Sequence, residues 1–127
     1  MVSVKTQFTS LVRTALLQLK PGWSDKKELF LHFIRCEFTN SGGWTVIQYR
    51  HDGSQDFYQS YEAYKAGFGD VKSEHWLGLN AIHQLTMDIN GNPKETRVKV
   101  ELIDAKNHKE YVEYDDFYIY GEPTGFR

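Results

Sequence analysis

Hydrophobic and polar positions alternate along the last third of the chain, and this alternation predicts a β-hairpin. In TRVKVELID, the residues predicted to face inward are Val98, Val100 and Leu102. Lys99 and Glu101 alternate with them and are predicted to face solvent. KEYVEYDDFYIY supplies an antiparallel partner across a turn at Asn107–His108.

Two further strands are predicted in the first half. LFLHFIRCEF is rich in apolar residues and ends in the turn residues of Thr39–Gly43. WTVIQY carries β-branched and aromatic residues at successive positions, so it is typical of a strand buried on both faces.

Short helices are predicted between these strands. Asp56 is a candidate cap for a helix through FYQSYEAYKAGFG, and Asn80 is a candidate cap for a second helix within WLGLNAIHQLT. Asn90-Gly91 and Pro93 then indicate a turn. The pattern therefore predicts an α+β fold, in which short helices flank a twisted, mostly antiparallel sheet.

Residues 1–27 differ from the rest and are predicted to form an atypical amphipathic segment. Three basic residues precede the first acidic residue, Asp25, whereas residues 24–127 carry the other 12 basic and all 17 acidic residues. Apolar residues recur at helical spacing before Pro21-Gly22, at Phe8, Leu11, Val12, Ala15, Leu16 and Leu19. An amphipathic or poorly ordered segment is the favoured interpretation. A secretory signal and an organelle transit peptide are the alternatives, although no signal-peptide cleavage site is visible.

The length, composition and net charge of the chain narrow the classes of function that it can have. A chain of 127 residues with 40% hydrophobic and 15% aromatic residues suits one folded domain. A net charge of −2 gives no reason to expect a nucleic-acid partner, and no apolar run is long enough to span a membrane. Cys36 is the single cysteine, so it is either a thiol of an intracellular protein or one end of a disulfide whose partner is absent from the chain.

No residue pattern indicates a metal site. Asp88, Asn90 and Asn92 occupy alternate positions, but they lack the glycine and glutamate spacing of a calcium-binding EF-hand loop. Asp52, Ser54 and Asp56 are explained by a turn and a helix cap. The five histidines follow no zinc-binding spacing; they are His32, His51, His75, His83 and His108.

No residue pattern indicates a catalytic site or a surface on which the rings of a ligand would stack. Asp115-Asp116 is interpreted as a solvated strand edge, since neighbours on a strand point to opposite faces. No hydrolase or nucleotide-binding motif occurs. The rings of Trp44, Trp76 and the tyrosines are assigned to the core rather than to a ligand, because no basic groove accompanies them. No catalytic or cofactor-binding residue is therefore predicted.

The ordered blocks of the chain resemble the fibrinogen C-terminal (fibrinogen-related) domain. The matching blocks are GGWTVIQYR (42–50), DGSQDF (52–57), YKAGFG (64–69), EHWLGL (74–79), IHQLT (82–86), RVKVEL (97–102) and YVEYDDFYI (111–119). The resemblance covers residues 28–127, as part of such a domain. It implies a secreted, non-enzymatic recognition or adhesion module of the lectin-like or innate-immune kind, which binds glycans or extracellular proteins. The glycines and aromatics of residues 42–69 are then interpreted as scaffold.

Departures from the family pattern limit what can be carried over. Family members continue past the position of Arg127, and the resemblance places their calcium loop and ligand pocket there, so no calcium or ligand residue is predicted in this chain. Cys36 matches a family cysteine whose usual upstream partner is absent. Tyr49 and His75 replace residue types common in the family. We expect a shortened domain whose exposed sheet edges favour self-association. The alternative hypothesis is a structural or protein-interaction remnant without a small-molecule ligand, for which the lone thiol favours an intracellular location.

Overall fold

The computed structural model describes residues 2–7, 34–40 and 42–127. These residues contain seven strands: β1 (Val2–Gln7), β2 (Cys36–Thr39), β3 (Gly42–Tyr49), β4 (Phe68–Gly69), β5 (His75–Trp76), β6 (Arg97–Ile103) and β7 (Lys109–Asp115). The helices within the described ranges are α1 (Tyr61–Ala66), α2 (Leu79–Thr86) and a 3₁₀ turn (Glu122–Thr124).

All seven strands form one sheet in the order β4-β5-β3-β1-β6-β7, and β2 pairs with β3 as well. Each strand pairing in this sheet is antiparallel. The prediction of an α+β fold with short helices beside an antiparallel sheet is therefore confirmed.

Strand β1 lies inside the sheet, where the sequence predicted no strand. Its backbone pairs with β3 on one side and with β6 on the other, so that Val4 lies opposite both Gln48 and Val100. The pairing with β3 shifts by a bulge between Val4 and Lys5. The helical segment predicted between Phe8 and Leu19 lies outside the described residues.

The core forms between β3 and α2. Four consecutive residues of β3, Trp44 to Ile47, are buried, which confirms that this strand is covered on both faces. Ile47 packs with Leu77 and with Ile82 and Leu85 of α2. The turn Met87–Pro93 follows α2, and its ends are joined by a single antiparallel bridge.

Both predicted helix caps are wrong. Helix α1 begins at Tyr61, and the hydroxyl of Ser60, rather than Asp56, accepts the backbone N–H of Ala63. Asp56 instead accepts the N–H of Tyr58 in a local turn. Helix α2 starts one residue before Asn80 and has no side-chain cap.

The predicted hairpin is confirmed, but its solvent-facing side is only partly as expected. Strand β7 pairs with β6 along its whole length, from Arg97 opposite Asp115 to Ile103 opposite Lys109. Glu101 is buried although its position predicted exposure, and Leu102 is 45% exposed although its position predicted burial. The buried carboxylate of Glu101 is compensated by ion pairs with Lys99 at 3.1 Å and Lys109 at 3.5 Å.

Candidate functional site

The carboxylate of Glu74 organises the loop that follows β3. One oxygen, Oε1, accepts the backbone N–H groups of His51, Asp52 and Gly53 at 2.6, 2.9 and 3.0 Å. The other, Oε2, accepts the N–H of Gln55 at 2.8 Å. Glu74 is buried, so this carboxylate replaces the water that four backbone donors would otherwise need.

The same hydrogen bonds control the ionisation of Glu74. Donation from the backbone of Gln55, and further donation from the other three amides, lowers the pKa of Glu74 from 4.5 to about 2. A carboxylate enclosed by amides of its own chain is a structural anion. It therefore fixes the loop and is not available as an acid or base at neutral pH.

The aromatic residues of the 42–69 run pack against one another beside this loop. The ring of Tyr64 lies 5.1 Å from Phe68 and 5.6 Å from Trp76. Phe57 contacts Phe68 edge to face at 5.2 Å, and the indole N–H of Trp76 donates to the carbonyl of Tyr64. These contacts are those of a scaffold, as the sequence predicted.

Gly69 allows β4 and β5 to approach closely. Its φ of 90° is a conformation that favours glycine, and a Cβ at this position would come within 2.7 Å of the Cα of His75. His75 itself is buried, and its ring nitrogens face the carbonyl oxygens of Ser73 at 3.1 Å and Val46 at 3.2 Å. Its ring therefore links β5 to β3.

The remaining candidate residues lie apart from one another. Cys36 is half-buried on β2, and this burial raises the pKa of its thiol. Asp115 and Asp116 are both exposed at the end of β7, as predicted. Among residues 34–40 and 42–127, no three His, Cys, Asp or Glu side chains are placed to hold a metal ion. His32 lies outside the described residues.

The tyrosines depart most clearly from the sequence prediction. Trp44 is buried and Trp76 is packed against the core, as expected. Most of the tyrosines, however, are exposed rather than buried; these are Tyr58, Tyr61, Tyr111, Tyr114, Tyr118 and Tyr120. Assigning these six tyrosines to the core was therefore wrong, because their positions on α1, on β7 and in the irregular segments face solvent, whereas Tyr64 packs with Phe68 and Trp76 as predicted.

Two of these tyrosines form a fixed pair on the segment after β7, which we call the tyrosine ledge (Tyr118 and Tyr120). Side chains alternate along this extended segment, so Phe117 and Ile119 pack against the core while the ledge faces solvent. The two rings meet edge to face at 5.5 Å. A side-chain hydrogen bond with Tyr120 raises the pKa of the Tyr118 phenol above its ordinary value.

The backbone beneath the ledge is anchored to α2. The hydroxyl of Thr86, which is fully buried, accepts the N–H of Ile119, and Nδ1 of His83 lies 2.9 Å from the carbonyl of Ile119. The N–H of Tyr120 donates to the carbonyl of Arg127 at 2.7 Å. These bonds fix the backbone segment that carries the two exposed rings.

This arrangement suits binding better than bond-making chemistry. Neutral tyrosine rings on a fixed backbone offer apolar area and hydroxyl donors at a small entropic cost. The exposed pair Tyr118 and Tyr120 was not predicted from the sequence, although the alternating pattern of FYIY could have indicated it. Within the described ranges, no helix has the length and apolar character needed to cross a bilayer.

Comparison with known proteins defines the class to which this fold and surface belong. The family described as "Fibrinogen beta and gamma chains, C-terminal globular domain" matches residues 18–127. The chain therefore belongs to the fibrinogen C-terminal globular domain family.

Angiopoietins are among its relatives. The chain is 40% identical over 88 residues to angiopoietin-1 of Canis lupus familiaris, and 42% identical over 89 residues to angiopoietin-2 of the same species. These matches cover 69% and 70% of this chain but only 17% of each relative.

Solved structures confirm the fold that the family match implies. The fibrinogen-like globe domain of human ANGPTL2 superposes with a TM-score of 0.67 at 37% identity, covering 74% of this chain and 42% of that chain. The corresponding domain of human ANGPTL6 gives 0.64 at 39% identity, covering 72% and 40%. The chain thus spans less than half of either globe domain.

Proposed function

We propose that this chain is part of an extracellular, non-enzymatic recognition module that binds proteins through the tyrosine ledge. The observation that carries the proposal is the ledge itself: two exposed rings, 5.5 Å apart, on a backbone tied to the core. Tyrosine is enriched among the residues that dominate binding energy at protein interfaces. Membership of the fibrinogen-related family supports a binding role.

The proposed location is outside the cell, as the family resemblance implies. Cys36 would then pair with a cysteine of another chain or segment, or stay half-buried as a free thiol. An intracellular structural remnant is the competing hypothesis. It predicts that full-length tagged protein stays in the cell, whereas the recognition module predicts its appearance in the medium.

The family resemblance also implies lectin-like or innate-immune roles with glycan ligands, and these are the alternative to a protein ligand. The resemblance places calcium-dependent glycan binding in a part of the family domain that follows the position of Arg127. We therefore propose that these 127 residues need no cofactor, and that the ledge recognises protein rather than sugar.

The test uses the purified full chain on intact cells. Binding should be saturable, should fall when surface proteins are removed with protease, and should persist after enzymatic deglycosylation. An acetylated-sugar resin should not retain the chain in a calcium-dependent manner. Chelator-reversible retention on that resin, or binding lost only on deglycosylation, would contradict the proposal. Absence of saturable binding would favour the structural remnant.

A further inference from the structure

Strand β7 ends the sheet and is exposed along its whole length. Among the described strands it pairs only with β6, and all seven of its residues are exposed. It contains no proline, and its pairing with β6 runs without a bulge. Such an edge offers backbone donors and acceptors to another strand.

The hairpin turn shows which backbone groups face outward. The N–H of Asp104 donates to the carbonyl of His108, so His108 points towards β6. In an antiparallel ladder the inward residues alternate with outward ones. The outward set that follows is Lys109, Tyr111, Glu113 and Asp115.

We infer that β7 binds β7 of a second copy of this chain, antiparallel, about a two-fold axis at Val112. This inference is independent of the tyrosine ledge. In this register Tyr111 lies opposite Glu113 of the other copy, and both have outward-facing backbone groups. Lys109 likewise lies opposite Asp115. All seven residues of β7 therefore find a partner, and each contact except the Val112 pair on the axis occurs twice.

Charge supports this register. At each end of the paired strands, Lys109 of one copy lies opposite Asp115 of the other. No like charges face each other directly. Asp115 already pairs with Arg97 of its own chain at 2.6 Å, yet its side chain stays 71% exposed. Lys109 of the second copy would therefore extend a row of alternating charges across the two-fold axis.

The apolar side of the hairpin supports it as well. Val112 lies opposite Val100 of β6 and is 43% exposed, and Leu102 and Tyr114 beside it are also exposed. In the paired copies, Val112 meets its own equivalent. The apolar strip of one hairpin then continues into the other, and the two Val112 side chains shield part of each other from water.

Neighbouring registers fit less well. Moving the axis to Glu113 places two glutamates opposite each other. Moving it to Tyr111 places Asp115 opposite Asn107, which lies in the turn with a φ of 66° and is not in a strand. Of these three positions, only an axis at Val112 pairs all seven residues of β7 without placing like charges opposite each other.

The test uses two charge-reversal variants of the full chain, measured separately and mixed. Analytical ultracentrifugation between about 1 and 100 μM should show reversible dimers of the unaltered chain. Lys109→Glu alone and Asp115→Lys alone should each weaken the dimer about tenfold, since each opposes like charges twice. An equimolar mixture should recover the original affinity, because each heterodimer restores both opposite-charge pairs.

Mixing separates this contact from damage within one chain, since a lost ion pair with Glu101 or Arg97 is not repaired by a second chain. Lys72→Glu, an exposed reversal far from β7, should leave the affinity unchanged. Glu113→Pro removes an outward donor and should abolish the dimer, with an unchanged circular dichroism spectrum. A chain that is monomeric throughout, or a mixture no tighter than the single variants, would overturn the inference.

Discussion

Glu74 lies 2.6 Å from the backbone nitrogen of His51, although 23 residues separate them in the chain. This one carboxylate closes the loop after β3 and fixes β5 beside it. The glycine- and aromatic-rich run from Gly42 to Gly69 is therefore a scaffold, and its distinctive composition reflects close packing rather than chemistry.

Replacing Glu74 with glutamine should destabilise the fold. An amide has one acceptor oxygen, so at least the N–H of Gln55 would lose its partner and face the NH₂ group, and the other three N–H groups would donate to an uncharged oxygen. We expect the melting temperature at pH 7 to fall by about 5–10 °C. Glu110→Gln, an exposed exchange of the same type, should change it by less than about 2 °C. Equal effects of the two exchanges would contradict the assigned role of Glu74.

The ionisation of Glu74 also predicts how stability depends on pH. Its pKa is depressed in the folded protein, from 4.5 to about 2. Its stabilising contribution is therefore fully present above pH 4.5 and is lost as the pH falls from about 4.5 to about 2. Urea unfolding midpoints across this range should fall more steeply for the unaltered chain than for Glu74→Gln. Parallel curves would show that Glu74 does not titrate as described.

Two glycines provide a matched test of the scaffold. Both Gly53 and Gly69 have positive φ, but a Cβ on Gly53 meets nothing within 4 Å, whereas a Cβ on Gly69 meets the backbone of Glu74 and His75. Gly53→Ala should cost only the strain of the conformation, about 1 kcal/mol. Gly69→Ala should cost at least about 3 kcal/mol, because backbone must move as well. Chemical denaturation measures both, and a similar cost for the two would count against the close approach of β4 and β5.

Thr86 offers a test of how the tyrosine ledge is held. Its hydroxyl donates to the carbonyl of Ile82 and accepts the N–H of Ile119. Thr86→Val keeps the shape but removes both bonds, and should cost about 1–3 kcal/mol. It should also shift the NMR signals of Tyr118 and Tyr120. Thr86→Ser keeps the hydroxyl and should leave those signals near their original positions; if it does not, the hydroxyl is not the anchor.

The local pattern of hydrophobic and polar residues was sufficient to predict part of this fold. The alternation around Val98 and Val100 predicted the β6–β7 hairpin, and the run from Trp44 to Ile47 predicted a strand covered on both faces. Each of these signals is contained in a few neighbouring residues. The helix caps failed because Ser60 and Asp56 are both good capping residues, and only tertiary packing decides where the helix begins.

Other features depend on contacts that no local pattern contains. Nothing in the residues around Glu74 indicates that it accepts four amides from a loop about twenty residues earlier. The position of Val2–Gln7 between β3 and β6 depends on pairing across about forty and about ninety residues. The ledge lies between these cases: the alternation of FYIY is local, but which of its two faces packs on the core depends on the contacts of Phe117 and Ile119.

The central claim is that recognition resides in the tyrosine ledge while the rest of the chain holds it in place. The most direct measurement compares Tyr118→Ala/Tyr120→Ala with the matched pair Tyr58→Ala/Tyr61→Ala, using saturation binding to protein-bearing cells alongside melting temperature. The ledge variant should bind at least about tenfold more weakly, and the matched variant should bind as the unaltered chain does. Both should stay folded at the assay temperature, and the matched variant should lose less melting temperature, because Tyr58 and Tyr61 are 96% and 55% exposed whereas Tyr118 and Tyr120 are 37% and 41% exposed. Unchanged affinity in a folded ledge variant would contradict the account.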